Sequence, residues 1–130
     1  MSGISPGGGR RIVHNVASGF IIFIGLIHIG FTPASYARLG APALWFAGSG
    51  AFLIAAGSLN LAFVRAHGRD ILVKGLSLLI DLTGAAFAIW AISAVGGPRP
   101  YALLLLFATA AVLVILDPRA SSTVPGQHGR

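Results

Sequence analysis

Cysteine is missing from this sequence, glutamate is missing with it, and the only acids are Asp70, Asp81 and Asp117. The first absence excludes disulfides, thiolate metal sites and thiol redox chemistry. The second leaves almost no material for paired-carboxylate catalysis. No Ser-His-Asp order, His-Glu-x-x-His, Gly-x-Gly-x-x-Gly or Walker sequence is present either, so ordinary hydrolytic and phosphoryl-transfer enzymes are not expected. Charge of any sign is scarce: 9% of the 130 residues, against about 25% in a typical soluble domain. What fills the chain instead is apolar, with 55% hydrophobic residues and a mean hydropathy of +0.86. That composition predicts an integral membrane protein.

Four apolar runs carry the composition, at residues 12–32, 43–64, 71–95 and 101–116. At 1.5 Å per helical residue, runs of about 16 to 25 residues match a hydrocarbon core of roughly 30 Å. In lipid each backbone N–H and C=O must be paired within its own segment, so these runs are expected to be helices. The links carry turn residues: Pro33 to Pro42 with Gly40, Arg65 to Asp70 with Gly68, and Gly96 to Pro100. Short links join neighbouring helices, and the expected fold is all-α, an antiparallel four-transmembrane-helix bundle over residues 12–116. Residues 1–11 and 117–130, rich in Gly, Ser and Pro, read as disordered ends. The first run exceeds the 7 to 15 residues usual for the apolar part of a signal peptide, which favours a retained helix.

Orientation follows from the basic residues. Arg10, Arg11, Arg65, Arg69, Lys74, Arg119 and Arg130 flank one side of the expected bundle, and only Arg38 and Arg99 flank the other. The positive-inside rule then places both termini in the cytoplasm. The net charge of +6 is explained by that topology together with attraction to anionic lipid, so no nucleic-acid partner is expected.

In the first run His14, Ser18, Ile21, Gly25, His28 and Thr32 recur at steps of four and three, which is one face of a helix. Ser77, Asp81, Gly84, Ala88 and Ala91 do the same in the third, and the second offers Ala43, Ala47, Gly50 and Gly57. Small and polar residues in register are what helix contacts in lipid require, so these stripes are expected to face inward. Phe20, Phe23, Leu79, Leu82 and Ile89 fall off them and are expected to face lipid. Tyr36, Trp45, Trp90 and Tyr101 gather at the end opposite the arginines. They read either as an interfacial belt or, for Trp45 and Trp90 with His28, as the rim of a pocket for a flat apolar ligand.

Asp81 is the most informative candidate. Counted along its own run it lies about 15 Å deep, where a carboxylate costs several kcal/mol unless it stays neutral or finds a partner inside the bundle. It reads either as a proton or cation relay or as a neutral group bonded to Ser77 or to another helix. His28 lies on the inner stripe of the first run and His14 at the opposite end of it. Fourteen residues, about 21 Å, separate the two, so they cannot share one metal or haem iron. Asn60 reads as an interhelical hydrogen-bonding residue at a depth near that of His14, with Ser18 and Ser77 as further polar contacts. Asp70 suits the N-terminus of the third helix.

Gly25-Leu-Ile-His28-Ile-Gly30, then Ala43-Leu-Trp45-Phe-Ala-Gly48-Ser-Gly50 and an Ala/Gly-rich run to Asn60, resemble small four-helix bacterial membrane proteins of the DoxX-like family and its relatives. That resemblance implies a bacterial inner-membrane subunit or accessory of a membrane oxidoreductase system, some members being connected with quinones, and it carries over no catalytic residue. Three functions are therefore expected as alternatives. The first is a non-enzymatic accessory subunit, self-associating or paired with another membrane subunit. The second is a proton-coupled carrier using Asp81. The third is a quinone or haem binder at His28.

Overall fold

The computed structural model describes residues 6–66 and 69–117. Expectations for residues 1–5, for His67 and Gly68, and for the tail with Arg119 and Arg130 lie outside that range. Among the described residues four helices follow one another: α1 Pro6–Ser35, α2 Ala41–Arg65, α3 Ile71–Val95 and α4 Arg99–Ile115. Three of them, over Gly8–Ser35, Ala41–Arg65 and Ile71–Val95, are long and apolar enough to cross a membrane. The fourth is apolar but has 17 residues.

The prolines explain where the elements differ from the apolar runs. Pro42 and Pro100 lie in the first turns of α2 and α4, where a backbone N–H has no intrahelical partner to lose, so both belong to helices and not to links. Pro33 sits inside the last turn of α1, which continues to Ser35. At the other end α1 begins at Pro6, so residues 6–11, expected to be disordered, are helical. Side-chain anchors offset the poor helix propensity of Gly7 to Gly9 there. Arg10 Nη1 donates to the carbonyl of Leu116 at 3.2 Å, and Arg11 Nη2 donates to that of Val64 at 3.2 Å. Both acceptors belong to helix C-termini, whose last carbonyls lack helical partners and whose dipole favours a cation.

Asp70 caps α3 as expected, its carboxylate accepting from the N–H groups of Leu72 and Val73 at 2.9 and 3.1 Å. Gly96 and Gly97, at φ of 69° and 75°, end α3 in the left-handed region that side-chain-bearing residues avoid.

Packing runs mainly through two pairs, α1 with α2 and α3 with α4. In the first pair contacts proceed in opposite order along the chain: Gly25 meets Gly50, Gly57 meets Ser18 and Ile22, and His14 meets Asn60. Backbone sits almost directly on backbone there. A Cβ added at Gly25 would lie 2.6 Å from the carbonyl oxygen of Gly50, and one at Gly50 would lie 2.7 Å from that of Gly25. In the second pair the Phe107 ring occupies the space a Cβ on Gly84 would need. Phe107 joins Ile21, Leu53 and Ala56 in the main core, and Phe63, Val64 and Val114 form a second cluster nearer the arginines.

The distribution of burial inverts that of a water-soluble domain. His14, Ser18, Thr32, Asn60, Ser77 and Asp81 are all buried, whereas Phe20, Phe23, Leu79, Leu82 and Ile89 are each more than half exposed. The small and polar stripes thus face inward, and large apolar side chains cover the outside.

Candidate functional site

One cluster of chemistry-bearing side chains lies inside the bundle. Its centre is Asn60 on α2, fully buried between α1 and α3. The Asn60 side-chain amide donates to the carbonyl of Ala56, one turn back, at 3.2 Å, and to Asp81 Oδ1 at 2.6 Å. Its carbonyl Oδ1 faces His14 Nε2 at 3.0 Å. Because the Ala56 carbonyl can only accept, the amide orientation is fixed, and the proton between His14 and Asn60 must sit on His14 Nε2. The row therefore has a direction: His14 donates to Asn60, and Asn60 donates to Asp81. Three helices are joined by it.

Around the row, each helix supplies local support. Ser18 donates to the His14 carbonyl at 2.8 Å, and Ser77 donates to the Leu59 carbonyl at 3.4 Å, a second tie between α3 and α2. The Phe63 ring stands 5.7 Å from the His14 ring. Asp117, just beyond α4, is close enough to interact electrostatically with His14. Asp81 Oδ2 is buried with no hydrogen-bond partner. A buried polar oxygen left in that state costs about 1–3 kcal/mol, so it is the one uncompensated point of the row.

The His14 and Asn60 contact joins two residues read at a similar depth; for Asp81, read as bonded to Ser77 or to another helix, the partner is another helix, through Asn60, while Ser77 bonds the Leu59 carbonyl. Depth counted along separate runs put Asp81 twice as deep as Asn60, which assumed that helix ends are level. They are not: Asn60 and Asp81 stand equally far in sequence from the junction at Asp70 and Ile71, so α3 starts well beyond the end of α2. Measured from the end of α2, the Asp81 contact is only about 8 Å deep. Residue numbers symmetric about the turn carried that signal. The hydrogen bonds from Arg10 and Arg11 to helix ends were also missed, since a basic pair before an apolar run reads only as a topology signal.

Trp45 and Trp90 have two readings, an interfacial belt and a pocket rim with His28, and both rings point outward. Trp45 is 80% exposed and Trp90 is 67% exposed, with Trp90 beside Phe87 at a ring distance of 6.3 Å. Their outward direction fits the belt reading. His28 is half-buried, stacks on Phe46 at 4.6 Å, and donates from Nδ1 to the Ile24 carbonyl at 3.0 Å. That bond places a proton on Nδ1, since a carbonyl can only accept. The only other described histidine, His14, is bonded to Asn60 at the far end of α1, so among the described residues no second imidazole stands beside His28. Among the described residues no group of three or more His, Cys, Asp or Glu side chains is placed to hold a metal ion.

What the arrangement can do chemically is limited and specific. A directional His–Asn–Asp row with one spare carboxyl oxygen locks three helices in register and can hold or release a proton. Compared with known proteins, the chain matches no family model, no curated protein and no solved structure.

Proposed function

We propose that this chain is a small non-enzymatic membrane protein, an accessory subunit or partner of a larger membrane complex. The reading takes the helices as an antiparallel four-span bundle in a bacterial-type inner membrane, with both termini cytoplasmic. One observation carries it. His14, Asn60 and Asp81, from α1, α2 and α3, are bonded to each other inside the bundle, and the outer helix faces they leave for recognition are largely apolar. A role beside an oxidoreductase accords with the resemblance to DoxX-like proteins.

Crosslinking in the native membrane, followed by native mass spectrometry of the extracted protein, tests this. A species heavier than the 13.3 kDa monomer, from a partner subunit or a second copy, is the expected result. Two outcomes overturn it: a monomer with no crosslinked neighbour, or proton-linked transport in reconstituted vesicles that Asp81→Asn abolishes. The second would make the unpartnered Asp81 Oδ2 the working group of a carrier.

A further inference from the structure

The seam between α1 and α4 holds an open apolar groove of about 370 Å³, lined by Val13, Val16 and Phe20 on one side and Leu105, Leu106 and Thr109 on the other. We propose that this groove is a binding site for one acyl chain of an anionic phospholipid, whose phosphate is held at the Arg10 guanidinium. The proposal rests on the reading of the chain as a membrane protein.

Three features select this occupant. The first is length. On α1 the groove runs from Ile12 to Phe20, about 12 Å, which stays within one leaflet, about 15 Å, of a roughly 30 Å hydrocarbon core. A helix of a second copy or a partner would need a track across the whole span. The second is cross-section: an extended hydrocarbon chain is far thinner than a helix about 10 Å across, so it can lie along the trough against both of its walls. The third is charge. Arg10 bridges the same seam at its outer end, reaching from α1 to the Leu116 carbonyl of α4.

Arg10 is exposed and uses one nitrogen on that carbonyl, which leaves other N–H donors of its planar fork for phosphate oxygens. Arg11, Arg65, Arg69 and Lys74 surround the same end of the molecule, against the carboxylates of Asp70 and Asp117. Basic charge therefore prevails where the headgroup would lie. An apolar trough that stays within one leaflet and ends under an arginine has the polarity and dimensions of a lipid, with tail below and phosphate above.

The test uses the full chain in detergent, with phosphatidylglycerol or phosphatidylcholine added at equal concentration and retained lipid counted by native mass spectrometry. Wild type should keep one phosphatidylglycerol in preference to phosphatidylcholine, by about tenfold. Val16→Trp, at a position 52% exposed and so tolerant of bulk, should fill the groove and remove the retained lipid, and Leu105→Trp should do the same. Arg10→Gln should leave occupancy but abolish the preference between headgroups. Equal retention of both lipids by wild type, retention unchanged by both tryptophan variants, or a dimer dispersed by them would each overturn the proposal. Recovery of the protein in the membrane fraction is scored separately. Its failure there removes the membrane reading itself, whereas a membrane-resident protein without selective lipid removes only this site.

Discussion

Asn60 is the residue on which the interior depends, because its amide faces three partners and neither neighbour has a substitute. Replacing it with alanine leaves the His14 N–H and Asp81 Oδ1 without their bonds, beside an Oδ2 that already has none. Asn60→Ala should therefore lower stability by about 2–4 kcal/mol, counted as unsatisfied buried groups together with lost packing. Ser18→Ala, equally buried, removes only a bond to a helical carbonyl and should change stability by less than about 1 kcal/mol. Equilibrium unfolding of the two variants in one detergent decides the matter: equal losses would deny Asn60 its bridging role. Part of this site is legible in sequence. His14 and Asn60 are the last polar residues of their runs before the arginines, so their shared depth can be read directly. Asp81 announces itself as a buried acid, but its partner depends on how far α3 overhangs α2, which hydropathy does not encode. His28, Trp45 and Trp90 show a related limit: a common depth does not give a common azimuth around the bundle.

At the scale of the helices, stripe periodicity is the strongest signal the sequence holds. Ser77, Asp81, Gly84 and Ala88, picked out by steps of four and three, are the buried residues of α3. Helix ends are less legible, because a proline signals a turn by composition and yet is accommodated in a first helical turn at Pro42 and Pro100. Which stripe meets which is also not written in the sequence; Gly84 shows it, since its glycine is required by one ring on one neighbouring helix. Gly84→Ala places a methyl about 2.5 Å from Phe107 ring carbons in a site with no slack. Overpacking of that kind should cost about 1–3 kcal/mol. Gly75→Ala, on the same helix with nothing within 4 Å of the added carbon, should be neutral or stabilise by up to about 1 kcal/mol. Combining Gly84→Ala with Phe107→Leu should recover part of the loss, and a double-mutant cycle from unfolding measurements reads the coupling directly. Strict additivity would mean that the ring does not set the spacing of α3 and α4.

For the molecule as a whole, the bonds made by two arginines constrain how the four helices can stand in a membrane. Arg11 ties the start of α1 to the end of α2, and Arg10 ties it to the end of α4, so these three ends share one level. If α1 and α2 cross, α4 must bring Leu116 back to the side from which α1 sets out. Its 17 residues make about 25 Å, short of a 30 Å core by an amount that local thinning or polar flanks can absorb. Under the proposed topology, the excess of Lys and Arg at that level makes it the cytoplasmic side. The missing cysteine makes the test clean, because single-cysteine variants react with a thiol label on no background. Leu39→Cys, in the link after α1, should be modified in intact cells by a membrane-impermeant maleimide. Arg69→Cys and Leu116→Cys should react only after the membrane is opened; losing one arginine leaves six basic residues against two, so the topology should persist. Labelling of Leu116→Cys in intact cells, with Arg69→Cys still protected, would mean that α4 does not cross. The Arg10 bond to the Leu116 carbonyl could not then survive in the membrane, and the α1 and α4 groove would open with it.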